Sequence, residues 1–326
     1  MSIRNFNKPY NKEVNNFVNF VTNCRSKSQT SNYMYKVLSK YYNNIIQTEH
    51  YIIACGDAPF ALYAHMDIIG DGSKVKPIVN YLQKDILFVS SDIINPCGFD
   101  DKAGLFIILQ YVEKWGAKWL KSQHMLPTIF LTTEEEYGHE SVTHLILDMR
   151  ANLQILKNIK FIVGLDRANE RDAVFYNCNN EEFINFIEST TGYRFARGTY
   201  TDIVIMSPAW DIASVNLSVG YAREHTPFEY LYWNQMQNTF NAVEFLAKAS
   251  WKLTKKFEFV HHTNREEEFE KCELCGMGLD IFEGIMVDTS EKTTTVCPKC
   301  FCNNFKYSHP TVVLKSKGSF KNGDKG

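Results

Sequence analysis

The chain has 326 residues, 44% hydrophobic and 14% aromatic, enough to bury a full core, which sets intrinsic disorder aside. A formal net charge of −2 gives no global electrostatic reason to seek nucleic acid or an anionic membrane. No stretch reaches the ~18 uninterrupted apolar residues of a membrane helix. The N-terminal run MSIRNFNKPYNKEVNNF lacks the apolar core of a secretory signal, so the expected compartment is the cytoplasm.

In chain order, Lys12 to Cys24 predicts a helix with Val14, Phe17, Val18 and Val21 on one face, and Ser31 to Tyr42 a second. Short apolar runs at Tyr51–Cys55, Phe60–Ala64 and Ile86–Ser90 read as strands. Asp100–Trp115 follows as a helix, then the β-rich run PTIFLTT (127–133), typical of a buried strand. A helix is expected over 141–156, strands over Lys160–Asp166 and Ala173–Cys178, and a helix over Glu181–Ser189. A late strand at Ala213–Val219 and a long amphipathic helix over Glu229–Leu253 complete the series. Strands alternating with helices predict an α/β fold with a mostly parallel central sheet flanked by helices. Functional groups in such sheets gather beyond the carboxyl ends of the strands.

Five contexts obey that placement: AHMD (64–67), GFDDKAG (98–104), TTEEEYG (132–138), GLDR (164–167) and REHTPFEY (223–230). Each is weak alone; the ordered set at strand ends is specific. Two divalent ions a few Å apart need one shared carboxylate, further nitrogen and oxygen donors, and an open position for water. His65, Asp100, Glu136, Asp166 and His225 supply two imidazoles and three carboxylates. Asp67 is spaced to accept the second N–H of His65 and fix its tautomer. A general base must not also be a ligand, so Glu135 and Glu136 divide those roles; spacing alone does not say which is which.

From about Phe60 to Tyr230 the sequence resembles the co-catalytic zinc metallopeptidases that include peptidase T, carboxypeptidase G and the acetylornithine and succinyl-diaminopimelate deacylases. It is also similar to the single-domain zinc aminopeptidases. The resemblance implies the zinc exopeptidase (phosphorylase/hydrolase-like) fold. It implies Asp100 as the bridging ligand, His65 and Asp166 on one metal, and Glu136 and His225 on the other. Glu135 is then the general base, acting on a metal-bridging hydroxide, and Asp67 the group that orients His65. Glu134 stands where the family's DEExG motif usually has Asp. The implied cofactors are two zinc ions, with manganese or cobalt as substitutes such sites accept. The implied substrate is a peptide, for an aminopeptidase or other exopeptidase, or an N-acyl amino acid, for a deacylase. An inactive, binding version of the fold is the remaining alternative.

Asp166 and His225 are only 59 positions apart, room for about one helix and two or three short strands, so a full lid domain is not expected there. Asp202, in TYTDIVI, is a candidate support behind the metal ligands or a substrate-amine contact; a plain loop aspartate is the competing reading. Arg167, Arg223 and Glu229 lie close to the candidate ligands in sequence and are candidates to bind a substrate terminus, with ordinary surface pairing the preferred reading.

Near the C-terminus, Cys272 and Cys275 (CELC) are separated by 21 residues from Cys297 and Cys300 (CPKC). Paired CxxC knuckles at this spacing predict a structural four-cysteine zinc ribbon, with metal supplying much of its folding energy. Cys302 reads as a bystander. A redox-active CxxC is the alternative. The expected organisation is a catalytic domain over 1–253, a charged linker over 254–270, the ribbon over 271–304 and a polar tail over 305–326. The ribbon is also the expected site of any self-association or protein partner.

Overall fold

The structure, a computed structural model, describes residues 8–70, 75–122, 126–138, 140–198, 200–261, 270–279, 284–288, 292–305 and 313–315. Much of the expected linker and nearly all of the expected tail lie outside the described residues.

Two helices open the chain, Lys8–Asn23 and Lys27–Leu38. The first buries Val14, Phe17 and Val21 of the stripe read from the sequence, with Phe20 in place of Val18, which is only partly buried. The second begins before the expected Ser31 because Ser26 caps it, accepting the Gln29 N–H with its side chain.

The central sheet has eight strands, in the spatial order Ile45–Gln47, Tyr51–Ala54, Thr128–Thr132, Ala61–His65, Ile162–Arg167, Ser214–Ser218, Asp172–Val174 and Arg194–Ala196. The four middle strands, from Thr128–Thr132 to Ser214–Ser218, run parallel. Antiparallel neighbours flank them on both sides. Alternate residues face opposite layers. Leu62, Val163, Leu165 and Val215 join one buried cluster with the helices Phe99–Ser122 and Trp233–Ser250. Tyr63, Phe130 and Ile162 join another with the helices Glu140–Met149 and Ile203–Trp210. The molecule is therefore an α/β fold with a mostly parallel central sheet between helical layers.

A second, four-stranded sheet, ordered Tyr221–Ala222, Tyr230–Tyr232, Ile86–Ser90 and Pro77–Tyr81, stands beside it. Only Ile86–Ser90 was expected there. The long C-terminal helix accordingly starts at Trp233, not Glu229, since residues 230–232 pair with Leu87–Val89. Between Asp166 and His225 the chain forms two helices, Glu181–Thr191 and Ile203–Trp210, where one was expected. Ile203–Trp210 (IVIMSPAW) shows no helical period because seven of its eight residues are buried. The strand expected at Ala173–Cys178 ends at Val174, and Tyr176 turns the chain with φ +52°.

The paired cysteines sit among short strands and the helix Pro298–Asn304. This segment docks on the outer helical layer: Phe301, Cys297 and Val287 share a buried cluster with Ile146, Met206 and Trp210. The early part of the expected linker also packs down. Phe257 is buried, its N–H donating to Lys160 O and its carbonyl accepting from the Ala213 N–H.

Candidate active site

The parallel strands deliver the site. His65 is the last residue of Ala61–His65; Glu135 and Glu136 lie in the turn after Thr128–Thr132; Asp166 lies at the end of Ile162–Arg167. His225 sits in the loop joining Tyr221–Ala222 to Tyr230–Tyr232, in the smaller sheet. Asp100 lies at the start of the helix Phe99–Ser122, where it and Asp101 depart from helical backbone angles. Asp101 explains the local shape. Its carboxylate accepts the N–H of His65 at 3.2 Å and of Gly104 at 3.0 Å, tying the helix start to the neighbouring strand.

The five expected metal donors come together as two overlapping trios, His65–Asp100–Asp166 and Asp100–Glu136–His225. Asp100 belongs to both. Its Oδ1 lies 3.0 Å from His65 Nε2, and its Oδ2 lies 3.2 Å from His225 Nε2. Asp166 Oδ1 is 3.4 Å from His65 Nε2, and Glu136 Oε1 is 2.9 Å from His225 Nε2. The first trio is buried; the His225 side chain, 41% exposed, opens the second to solvent.

Each ligand-type group is held from behind. Asn216 accepts the Asp166 N–H at 2.9 Å and donates to its carbonyl at 2.8 Å. Thr201 and Tyr221 donate to the two Asp166 carboxylate oxygens at 3.0 and 3.2 Å. Asp67 accepts the backbone N–H groups of Glu135 and Glu136 at 3.3 and 3.1 Å. Its Oδ1 also lies 3.3 Å from His65 Nδ1. That nitrogen is buried without an aligned hydrogen bond, so the contact is electrostatic.

Asp202 is fully buried at the start of Ile203–Trp210, not on an open loop. Its two oxygens accept hydroxyl hydrogen bonds from Tyr63 at 3.0 Å and Tyr200 at 2.9 Å. Glu229 departs from expectation in the same way: it is 1% exposed, not a surface group, and its Oε1 accepts the Asp100 N–H at 3.1 Å. Its place four residues after His225 marks it in the sequence, but nothing local shows that it turns inward.

Electrostatics show how the carboxylates of the site press on one another. Burial, reinforced by Asp166, pushes the Glu135 carboxyl well above the ordinary range. Burial lifts Glu136 to about 7 against the opposing bond from His225, and lifts Asp166 to about 6 against His65. Burial opposes the charged form of His225, but its bonds to Asp100 and Glu136 outweigh that and raise it to about 10. Carboxylates thus outnumber the cationic groups available to them, and several are driven toward protonation. Divalent cations relieve that imbalance. The donor separations, 2.9–3.4 Å, are a little shorter than the roughly 3.3–3.6 Å edge of a tetrahedron of donors about 2.0–2.2 Å from an ion, so small outward shifts of these side chains would admit one.

The four CxxC cysteines cluster as well, with Cys275 Sγ 3.9 Å from Cys297 Sγ. The edge of a tetrahedron of four sulfurs at the Zn–S length of about 2.3 Å is roughly 3.8 Å, so this set fits zinc. Cys302 is outside the cluster, buried with its Sγ 3.9 Å from the Ile146 carbonyl.

No protein-family model matches the sequence, and no curated protein matches it. Among solved structures, the chain is similar to an aminopeptidase, PepT, from Bacillus cereus, at 15% identity and TM-score 0.55, covering 74% of this chain and 99% of that one. A tripeptidase from Staphylococcus aureus matches at 14% identity and TM-score 0.57, again covering 74% and 99%. A TET aminopeptidase from a marine-sediment thaumarchaeon matches at 11% identity and TM-score 0.51, covering 73% and 97%. The shared feature is the fold, an α/β architecture with a mostly parallel central sheet. Among the described residues no helix is long and apolar enough to cross a membrane.

Proposed function

We propose that the protein is a metal-dependent hydrolase of peptide bonds, acting as an aminopeptidase or related exopeptidase. The observation that carries this reading is Asp100, whose two carboxylate oxygens each face a different histidine, His65 and His225. That is the arrangement a carboxylate shared by two ions requires. In this reading His65 and Asp166 hold one ion, Glu136 and His225 the other, and Asp100 both. Bound there, two zinc ions would polarise a substrate carbonyl and acidify water.

The chain's own groups do the rest. Glu135, outside both trios, accepts the proton of the attacking water on its carboxylate and delivers it to the departing amine nitrogen. Asp67 fixes the backbone of Glu135 and Glu136 and sets the His65 ring. The open side at His225 admits the substrate. Asp202 serves this reading as a buried support beside Glu135 and not as a substrate contact. The four-cysteine cluster holds a third, structural zinc in a C-terminal ribbon over 271–304, following a catalytic domain over 1–253, and the protein works in the cytoplasm. Kinship of fold with an aminopeptidase and a tripeptidase favours peptide over N-acyl amino acid substrates.

The test is a panel of aminoacyl-arylamides, short peptides and N-acyl amino acids, assayed with and without chelator. Chelator-sensitive release from the N-terminal side is expected, abolished by Glu135→Gln with metal content unchanged. A Glu135→Gln enzyme at full rate would remove Glu135 from the mechanism, and hydrolysis confined to N-acyl amino acids would favour the deacylase.

A further inference from the structure

We infer that Glu229 is a positioning residue that locks the shared carboxylate, Asp100, against the histidine of the second trio; the inference rests on the two-ion reading above. The local chain explains how. Residues 223–229 form a compact turn in which Thr226 Oγ1 donates to Arg223 O at 2.7 Å and the Glu229 N–H donates to Thr226 O at 3.1 Å. Arg223 and His225 take positive φ values, 56° and 62°, within it. One short turn therefore carries both His225, which faces Asp100 Oδ2, and Glu229, which grips the backbone N–H of Asp100 from the other side.

The chemistry of Glu229 is costly for a plain packing residue. The side chain is sealed from solvent, and Oε2 has no aligned hydrogen bond, with the Phe99 backbone N–H as a further donor near the carboxyl. A buried carboxylate left half-satisfied destabilises a fold, and an apolar side chain of similar size would not incur that cost. Lys102, also buried, offers a countercharge in the vicinity, but its ammonium donates to the Cys97 carbonyl at 2.6 Å. Holding the Asp100 N–H does have a consequence at the site. Asp100 must present one oxygen to each histidine, and a free peptide N–H would let that backbone turn. Outer groups of this kind are worth about 10–100-fold in metal affinity.

The test uses the full chain and reads metal, not turnover. Zinc is withdrawn by graded competing chelator, and the ions released are counted. Glu229→Met, similar in size but without an acceptor, should weaken at least one ion of the pair by about 10–100-fold. Glu229→Gln, which keeps an acceptor oxygen, should stay within a few-fold of the wild type, and the zinc of the four-cysteine cluster should be unmoved in both. If Glu229→Met unfolds, Glu229→Ala at low temperature provides the same comparison against Glu229→Gln. Equal zinc affinity in the wild type and in both the acceptor-lacking and acceptor-keeping variants overturns the inference while leaving the two-ion reading intact. A wild type with no exchangeable pair of ions overturns the reading itself, and the inference with it.

Discussion

Asp67 accepts the backbone N–H of Glu136 at 3.1 Å through Oδ2, while its Oδ1 takes the Glu135 N–H and lies 3.3 Å from His65 Nδ1. One buried carboxylate thus joins the strand end that carries His65 to the turn that carries both glutamates. Both oxygens work as acceptors, which decides what a substitution does. Asp67→Ala leaves two backbone donors without partners, a penalty of about 1–3 kcal/mol each where they are buried. Asp67→Asn is expected to fare little better, since its NH2 group would meet an N–H donor on one side. Both variants should lose metal about 10–100-fold more readily than the wild type. Competing-chelator titration checks this, and an Asn variant with wild-type metal retention would show that only one oxygen matters.

The C-terminal cysteines make a separate prediction about stability. Cys297 caps the helix Pro298–Asn304, its Sγ accepting the Cys300 N–H at 3.3 Å, and that helix buries Phe301 against the outer layer of the main fold. Burial acts to raise the Cys272 thiol, but backbone N–H groups of Cys297, Cys275 and Leu274 outweigh it and bring the thiol down to about 7. That is the direction a metal thiolate needs, whereas burial pushes the Cys297 thiol well up and Cys300 up to about 11, so those two would need a bound cation to ionise. Cys297→Ser should remove about one zinc equivalent. It should also lower the melting temperature, by roughly 2–4 °C for each kcal/mol lost. Metal analysis together with calorimetry checks both, and an unchanged zinc count would dismiss the four-cysteine assignment.

Much of this site was legible in the sequence because a parallel sheet imposes an order on it. A buried parallel strand is a continuous apolar run, and its end is marked by the first polar residue. His65 and Asp166 stand at such ends, and Glu135 and Glu136 just beyond another. What escaped reading depends on tertiary burial. REHTPFEY looks like a surface loop, and nothing local says that Glu229 turns inward beneath Asp100. Ile203–Trp210 carries Pro208 and no helical period, since the sheet and the cysteine module cover it on different sides. The strands Tyr221–Ala222 and Tyr230–Tyr232 are two and three residues long, too short to alternate visibly.

The N-terminal helix reaches the site through one ring. Phe17 is fully buried, with ring centroids 5.0 Å from Phe88 and Phe106, 6.1 Å from Phe99 and 6.2 Å from Trp233. Phe99 immediately precedes Asp100. Truncating Phe17 removes the centre of this aromatic cluster, and a buried Phe→Ala change costs about 3–5 kcal/mol. Urea denaturation of Phe17→Ala should show a loss in that range, with Phe17→Leu losing less. A change below about 1 kcal/mol would mean that the cluster closes over the gap without strain.

Gly104 tests how closely the DDKAG segment must approach its strand. A Cβ built there would meet the Leu165 carbonyl oxygen at 2.0 Å and Asp101 Oδ1 at 2.5 Å. Neither neighbour can yield cheaply. Leu165 lies in the strand that presents Asp166, and the Asp101 carboxylate is already bound to the N–H groups of Gly104 and His65. Gly104→Ala would gain helix propensity of about 1 kcal/mol, since alanine suits a helix better. The overlap works against it, as overpacking typically costs about 1–3 kcal/mol. With backbone on one side and a fixed carboxylate on the other, the overlap should win. Gly104→Ala is therefore expected to be less stable than the wild type, and to hold metal more weakly, because the shift it forces falls between Asp100 and Asp166. Denaturation midpoints and chelator titration on the same samples separate the two effects. A variant that gains stability and keeps its metal would show that the helix can lift from the strand without disturbing either carboxylate.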